Sequence, residues 1–253
     1  MADPRPVIIT GASRGIGLQL SRQFAAKGYP VIGIARNRPV EDAPFARFIR
    51  CDLSDRGATS ALAARLAGLR PQGLINNAAI QSECDPRVMP PDRLAAYLQT
   101  ELDLNLAAPM ILGLALLPVI AEAPNGFICN VNSCLALAPK TAAPAYCAAK
   151  AGLSNATIAL RNMAGTWPDI LVAEVMLPLV DTDMTTGRGK GKISAADAAA
   201  GILRGIAARQ DVIRIGGAKA LHAIWRLSPA LARIILRGPA KPADTGAKHG
   251  ALS

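Results

Sequence analysis

Short apolar runs alternate with longer helical patterns over most of the chain. The runs VIIT, VIGI and GLIN, at 7–10, 31–34 and 73–76, are bounded by turn-forming or polar residues and read as buried strands. Further strands are predicted at 47–51, 127–129, 170–176 and 212–215. Strands that alternate with helices form parallel sheets, so the pattern predicts one α/β domain with a doubly wound, seven-stranded parallel sheet.

Helical patterns fill the intervals between these strands. They cover 18–27, 57–69, 101–121, 145–164 and 195–209. Gly28 is suited to end the first helix, Pro144 to open the fourth and Ser194 to cap the fifth.

Composition fits a single domain with an aliphatic core. Of the 253 residues 51% are hydrophobic but only 4% aromatic, as expected where parallel strands are buried. The five cysteines show neither a CxxC pair nor a metal-ligand spacing, so we expect free thiols and no metal site. The first residues lack a secretory pattern, and the thiols suit a reducing compartment, which predicts a cytoplasmic location.

The most apolar stretch, 106–121, resembles a membrane span in composition. It is shorter than the roughly 20 residues that a spanning helix needs, and Pro109 and Pro118 interrupt it. We therefore predict a helix that is buried in the protein.

Charge is distributed unevenly along the chain. Residues 1–186 hold 16 Lys and Arg against 15 Asp and Glu, whereas 187–253 hold 12 against 3, so +9 of the net +10 lies in the last quarter. A basic segment of this kind fits an anionic membrane, nucleic acid or a solvated surface. We adopt the solvated surface for the body of the protein and expect no nucleic-acid partner, since no base-reading motif occurs.

A glycine-rich turn joins the first strand to the first helix. Gly11, Gly15 and Gly17 stand in the sequence GASRGIG. Glycine permits positive φ and lets the backbone approach a pyrophosphate at a helix N-terminus. Strand, glycine turn and helix in this order predict a dinucleotide site.

Two arginines near that turn indicate which dinucleotide binds. In dinucleotide folds an acid after the second strand binds the ribose 2′-hydroxyl, whereas an arginine accommodates a 2′-phosphate. This chain has Ala35 at that place, followed by Arg36, and Arg14 lies in the glycine turn. Two guanidiniums converging on one point suit a phosphate, which favours NADP over NAD.

Tyr146 and Lys150 stand four residues apart in a predicted helix and therefore share a face. A cation near a phenol favours the phenolate and lowers a tyrosine pKa from its usual value of about 10. Such a phenol can give a proton to a carbonyl or take one from an alcohol. Ser133 lies near the carboxyl end of the strand that begins at 127, where open α/β sheets bind ligands, and its hydroxyl could hold the substrate oxygen.

Together these motifs resemble the short-chain dehydrogenase/reductase family. The matching elements are Thr10-Gly11-x-x-x-Gly15-x-Gly17, Asn76-Asn77-Ala78-Ala79 with Ala in place of the family's final Gly, Asn105, Ser133 and Tyr146-x-x-x-Lys150. The resemblance covers about residues 7–184 and, more loosely, 194–216. It implies a Rossmann-type fold and hydride transfer between NADP(H) and a carbonyl or alcohol substrate.

The resemblance also implies roles for the catalytic residues. Tyr146 would be the general acid in reduction and the general base in oxidation. Lys150 would lower its pKa and hydrogen-bond the nicotinamide ribose, and Ser133 would position the substrate oxygen. Asn105 would hold a water that links Lys150 to solvent, which explains an amide in an apolar helix, where an unpaired polar group is costly.

The dinucleotide is expected to contact three groups of residues. They are Gly11, Ser13, Arg14, Gly15, Ile16 and Gly17; Arg36, Asp52, Leu53, Asn77, Ala78 and Ala79; and Tyr146, Lys150, Pro178, Val180 and Thr182. For Asp52 two roles are open, accepting a hydrogen bond from the adenine amino group or capping the next helix. The segment from Pro178 lacks the glycine of the family's Pro-Gly-x-Val-x-Thr and is one residue short, which leaves its backbone contacts with the nicotinamide open.

Two further segments bear on which substrate and which partners the protein binds. Residues 185–192, where the family places a substrate lid, hold three glycines and three cations, which predicts mobility, with a plain connector as the alternative. Residues 218–238 form a basic amphipathic extension that could lie on an anionic membrane, fold back on its own subunit or cover the partner's site. Folding back is the favoured interpretation, and 239–253 are predicted to be disordered.

The sequence therefore predicts an NADPH-dependent reductase of an apolar ketone, aldehyde or 3-oxoacyl group, in one catalytic domain whose core is 6–217. An NAD-linked alcohol dehydrogenase is the alternative. A non-catalytic NADP(H)-binding regulator is disfavoured, because Tyr146 and Lys150 are both present. In the family the helices at 101–121 and 145–164 pair with their copies, which implies a homodimer, or a tetramer.

Overall fold

The computed structural model describes residues 4–40, 43–187, 189 and 191–237. The strands are β1 (Val7–Thr10), β2 (Val31–Ala35), β3 (Arg47–Arg50), β4 (Gly73–Asn76), β5 (Phe127–Ser133), β6 (Leu171–Leu177), β7 (Val180–Asp181), β8 (Ile193–Ser194) and β9 (Val212–Arg214). The helices are α1 (Gly15–Ala26), α2 (Arg56–Ala67), α3 (Pro91–Leu102), α4 (Ala108–Ala121), α5 (Pro144–Ala164), α6 (Ala195–Ala207), α7 (Ala218–Leu227) and α8 (Pro229–Arg237). The tail predicted at 239–253 lies outside the described residues.

Seven strands form one parallel sheet in the order β3-β2-β1-β4-β5-β6-β9. The predicted doubly wound, seven-stranded sheet is thereby confirmed. Successive strands run outward from β1 in one direction and then from β4 in the other. The crevice at this switch point, outside the carboxyl ends of the strands, is where such sheets bind ligands.

Helices cover both faces of the sheet with aliphatic side chains. On one face Leu20 of α1 and Ile202 of α6 are fully buried against the strands. On the other, Leu66 of α2 and Leu112 of α4 belong to a second buried layer. Fully burying one such side chain stabilises the fold by about 1.5–3 kcal/mol, so the strand ends that carry the site rest on a rigid base.

The most apolar helix is longer than predicted. A π-helical turn at Asp103–Ala107 joins α3 to α4, giving a continuous helix over 91–121. Within the described ranges this helix is long and apolar enough to span a membrane, so the length argument against a span does not hold, and the prediction of a buried helix rests on its packing. Leu112, Leu116 and Ile120 are nevertheless buried against the sheet, which makes it a core helix.

Candidate active site

The glycine turn follows a backbone path that requires glycine. Gly11 and Gly15 have φ values of +65° and +53°, and a Cβ on Gly17 would lie 2.1 Å from the Gly11 carbonyl oxygen. Arg14, in an extended conformation, precedes α1 without capping it through its side chain. The first N–H groups of α1 can therefore bind an anion. Two other predicted cofactor residues are half-buried in the same turn, Ser13 and Ile16.

The residues that follow β4 are hydrogen-bonded to Thr10, directly before this turn. The Thr10 hydroxyl accepts hydrogen bonds from the backbone N–H groups of Asn77 (2.9 Å) and Ala78 (3.0 Å). The Asn77 side-chain amide donates to the Thr10 carbonyl at 3.0 Å, and Ala79 follows, half-buried. Asn77 thus positions the turn through its side chain.

The two arginines expected at the 2′-phosphate have different partners. An Arg14 guanidinium nitrogen lies 3.1 Å from an Asp183 carboxylate oxygen, in an exposed ion pair. Arg36 is exposed directly after β2, and its carbonyl accepts a hydrogen bond from Arg50. The structure therefore pairs Arg14 with Asp183 and does not show the predicted convergence with Arg36. Exposed pairs typically contribute about 1 kcal/mol or less, so this one can be exchanged for another anion.

Asp52 closes a turn after β3. Its carboxylate accepts hydrogen bonds from the Ser54 N–H (3.0 Å) and hydroxyl (2.7 Å). The cap of α2 is instead Asp55, so the capping role considered for Asp52 was wrong. Burial disfavours the Asp52 carboxylate, but the Ser54 hydrogen bonds and the charge of Arg36 outweigh this and lower its pKa. Leu53 beside it is buried.

Tyr146 and Lys150 face the sheet from the first two turns of α5. The Lys150 ammonium nitrogen lies 5.7 Å from the centroid of the Tyr146 ring. Ser133 is the last residue of β5, and its hydroxyl accepts a hydrogen bond from the Leu135 N–H at 3.2 Å. Ser133 thus lies at the carboxyl end of β5, as predicted, and Lys150 reaches the same strand by donating to the Val131 carbonyl.

Lys150 is a buried cation. Only 3% of it is exposed, and its ammonium donates to the Val131 carbonyl at 2.9 Å. Burial lowers its pKa to about 8, against the opposing effect of two carboxylates, Glu101 and Glu174. The same ammonium places a positive charge near the Tyr146 ring.

Glu174 was missed by the sequence analysis. It is buried on β6 and accepts a hydrogen bond at 2.7 Å from the Asn132 amide, which also donates to the Lys150 carbonyl at 3.0 Å. Asn132 therefore links this carboxylate to the helix turn that carries Lys150. A glutamate inside the buried strand LVAEVML was the pattern that could have revealed it.

Glu101 was missed as well, although it lies four residues before Asn105. Asn105 sits fully buried in the π-helical turn, where its amide donates to the Ile80 carbonyl (3.0 Å) and to Glu101 (2.8 Å). Its side-chain oxygen accepts from the Ile80 N–H, and the Ser82 N–H donates to Glu101. Burial raises the pKa of Glu101, and the hydrogen bonds from Ser82 and Asn105 oppose that rise. Asn105 therefore has the hydrogen-bond partners that a buried amide in an apolar helix requires.

The segment after β6 forms the opposite wall of the crevice. Half-buried Pro178 leads into β7, whose Val180 is buried and pairs with β8. A Cβ on Gly15 would lie 3.2 Å from the Thr182 methyl carbon, so Thr182 lies across the glycine turn. Two residues of the expected lid, 188 and 190, lie outside the described residues, and its mobility stays a prediction. At its end Lys192 binds the Asp181 carboxylate and the Thr185 carbonyl.

The extension folds back beside the segment that follows Ser133. Ala218 is buried with Cys134 and Met176, and Leu236 packs against this cluster. The N–H and the hydroxyl of Thr141 both donate to the Arg237 carbonyl, at 3.1 and 3.2 Å. One face of the extension is thus docked on its own subunit.

Comparisons with known proteins agree with this geometry. A family model described as short chain dehydrogenase matches residues 5–192. The chain belongs to the short-chain dehydrogenase family. The uncharacterized oxidoreductase DltE of Bacillus subtilis (strain 168) is 32% identical over 185 residues, which cover 70% of this chain and 72% of that protein. The chain is therefore an oxidoreductase of this family.

Solved structures share its fold. A short-chain dehydrogenase from Burkholderia cenocepacia J2315 in complex with NADP has a TM-score of 0.81 at 20% identity and covers 94% of this chain and 99% of its own. A 4-hydroxyisoleucine dehydrogenase complexed with NADH has a TM-score of 0.73 at 24% identity, covering 84% and 97%. At these identities the likeness establishes the fold.

This short-chain dehydrogenase has the features that a nicotinamide dinucleotide requires. The glycine turn packs so closely that a Cβ at Gly17 would meet the Gly11 carbonyl oxygen, and the first N–H groups of α1 have no side-chain cap from Arg14, so they are available to a pyrophosphate. Lys150 and Tyr146 lie together on α5, and Lys150 contacts Val131 of β5, two strands away from the strand that leads into the glycine turn. The residues present fit the cofactor that the family implies.

Proposed function

We propose that this short-chain dehydrogenase transfers a hydride between NADP(H) and a carbonyl or alcohol substrate. In the cell it would work as an NADPH-dependent reductase of an apolar ketone, aldehyde or 3-oxoacyl group. The observation that carries the proposal is a buried Lys150 ammonium that lies 5.7 Å from the Tyr146 ring and donates to Val131 of β5, the strand that ends at Ser133. This arrangement is suited to exchanging a proton with an oxygen near neutral pH.

The protein residues would handle the proton and hold the substrate. The Tyr146 phenol gives its proton to the carbonyl oxygen, and the charge of Lys150 lowers the cost of leaving the phenolate. Ser133 hydrogen-bonds the same oxygen and fixes its position. Asn105, held by Ile80, keeps the path from Lys150 to solvent in place. The nicotinamide supplies the hydride when bound.

NADP(H) is the proposed form of the cofactor because Arg36 follows β2 where an NAD enzyme would place an acid. Arg14 would leave its exposed pair with Asp183 to meet the phosphate. The Burkholderia neighbour in complex with NADP supports this choice, and the neighbour complexed with NADH keeps NAD as the alternative.

An apolar substrate is proposed from the wall next to Ser133. The segment that follows carries half-buried Leu135 and Leu137, and the docked extension adds Leu221 and Leu236 nearby. A polar substrate would leave its groups unpaired against such a wall. Turnover confined to small, highly polar sugars would contradict this part of the proposal.

The test is a fluorescence titration with NADPH and NADH at low and moderate salt. We expect much tighter NADPH binding, which Arg36→Asp should weaken sharply, while the matched exposed variant Arg204→Asp on α6 should not. Equal binding of the two nucleotides would contradict the NADP(H) assignment, and tighter NADH binding would favour the NAD-linked alternative. Binding without NADPH oxidation by any of a panel of apolar ketones, aldehydes and 3-oxoacyl thioesters would favour the non-catalytic regulator.

We also propose that two copies pair through α4 and α5. Both helices expose apolar side chains to solvent, among them Met110 and Leu114 on α4 and Ile158 on α5. Light scattering should give a dimer mass, which Leu114→Glu should reduce to that of a monomer. A monomer or tetramer for the unaltered chain would contradict it. The cytoplasmic location stays a prediction.

A further inference from the structure

The extension has an apolar face that its own subunit leaves uncovered. We call Leu227, Leu231, Ile234 and Ile235 the outer patch; their exposed fractions are 89%, 47%, 71% and 51%. Three of them occupy positions i, i+3 and i+4 of α8 and so lie on one side of that helix. Clustered aliphatic side chains of this size on a soluble surface usually mark an interaction site.

The outer patch is not a frayed end that could turn inward. The opposite side of α8 is docked, because Ala232 is buried and Leu236 packs against the cluster around Met176. Thr141 holds the last turn through two hydrogen bonds to the Arg237 carbonyl. Ser228 fixes the other end, since its hydroxyl accepts a hydrogen bond from the Leu231 N–H at 3.2 Å. Turning the patch inward would break all of these contacts.

Cations surround the outer patch. Lys219, Arg226, Arg233 and Arg237 are all exposed, and 218–237 contain no Asp or Glu. In the described part of the chain no carboxylate lies within 4.0 Å of these three arginines. The surface is therefore both apolar and uncompensated in charge.

An open groove of about 650 Å³ adjoins the patch, between α8, α5 and the segment after β5. Ile234 belongs to both the patch and the groove, and Arg233 and Arg237 contribute to its walls. Lys140 also lines the groove but is paired with Glu83 at 3.1 Å. A groove with apolar walls next to cations is suited to an amphiphile that has a negatively charged head.

We propose that the outer patch and its arginines form a contact with an anionic membrane surface. The aliphatic side chains enter the boundary between headgroups and acyl chains, and Arg226, Arg233 and Arg237 bind lipid phosphates. The chain is then a peripheral membrane protein with its core helix α4 inside the fold. The contact also brings the apolar wall beside Ser133 close to the bilayer.

A second copy of this chain is a less favourable partner for the outer patch than an anionic membrane, because of its charge. In a twofold contact the same patch faces itself, so the three arginines would meet their own copies. Like charges brought together in this way oppose association. Nucleic acid would satisfy the arginines but would leave four aliphatic side chains in water.

The test is co-sedimentation of the full chain with vesicles of phosphatidylcholine alone and with added phosphatidylglycerol. We expect binding to the anionic vesicles at low salt, little binding to the neutral ones, and loss of binding as salt rises. Arg226→Gln with Arg233→Gln should weaken binding roughly 25-fold, at roughly fivefold per cation. Leu231→Ser with Ile235→Ser, which keeps the charge, should weaken it at least as much.

The control is Arg93→Gln with Arg204→Gln, which removes the same charge from exposed sites on α3 and α6 and should change binding little. Equal melting temperatures establish that each variant is folded. Equal weakening in the control, or unchanged binding in the serine variant, would overturn the proposal. So would a serine variant that changed the oligomeric mass, or an unaltered chain that bound single-stranded DNA in preference to the anionic vesicles.

Discussion

The glycine turn after β1 and the proposed catalytic group of Ser133, Tyr146 and Lys150 both adjoin the central sheet, but different forces hold them. The glycine turn is fixed by its backbone: Gly17 packs on the Gly11 carbonyl, and Thr10 and Asn77 bind the main chain. The catalytic group is fixed by charged side chains away from water, since Lys150 is buried with two carboxylates nearby.

This difference decides which changes each region tolerates. A backbone-held turn leaves no room for one added carbon, whatever its polarity. A group held by buried charges accepts a substitution of equal shape, but losing one charge changes the pKa values of the others. Four predictions probe the two regions, from the largest expected effect to the smallest.

The largest effect is expected at Tyr146. Tyr146→Phe removes the proton donor and keeps the ring, so kcat should fall by roughly 10²–10⁴-fold, the usual contribution of general acid catalysis. NADPH affinity should not change. Tyr97→Phe is the matched control, because the Tyr97 hydroxyl accepts from the Ala145 N–H at 3.3 Å at the start of the same helix. Comparable losses in both variants would remove Tyr146 from its proposed role.

The next effect belongs to the glycine turn. A Cβ at Gly17 would lie 2.1 Å from the Gly11 oxygen, so Gly17→Ala must displace backbone at the proposed pyrophosphate site. We expect NADPH affinity to fall at least about tenfold, or about 1.4 kcal/mol, by titration. Gly217→Ala is the control, since a Cβ there would meet no atom within 4 Å. Unchanged affinity in Gly17→Ala would contradict the description of a backbone-held turn.

The buried carboxylates give a smaller effect, visible in the pH dependence. Burial lowers the pKa of Lys150 to about 8, and the charges of Glu101 and Glu174 oppose this decrease. Glu101→Gln or Glu174→Gln removes one of these charges, so Lys150 loses its proton at lower pH and the basic limb of kcat moves to lower pH. The shift should be larger for Glu101, the stronger of the two influences.

The control for this pair is Glu122→Gln, which removes an exposed carboxylate paired with Arg70 far from the site. Its pH profile should match that of the unaltered enzyme. Profiles that fall in height without moving along the pH axis would mean that Glu101 and Glu174 act only in packing.

The same contrast explains which features of the fold and the site could be predicted from the sequence. Glycine spacing, apolar runs and the Tyr146–Lys150 interval follow local rules, so the fold and the placement of Ser133 were predictable. Glu174 meets Asn132 across neighbouring strands, 42 positions away in sequence, and no local period encodes such a contact. The pairing of Arg14 with Asp183, 169 positions apart, was hidden for the same reason.

That pairing gives the smallest effect and connects the two regions. Asp183→Asn releases Arg14 from an exposed ion pair, so Arg14 becomes free to meet a 2′-phosphate. Since such pairs contribute about 1 kcal/mol or less, NADPH should bind up to roughly fivefold tighter at low salt, and the gain should shrink as salt is added. NADH lacks the 2′-phosphate, so its affinity should not change. Asp181→Asn changes the same charge two residues away, on the pair with Lys192. An equal gain in Asp181→Asn would mean that net charge alone draws NADPH to the crevice, and Arg14 would lose its assignment as a phosphate ligand.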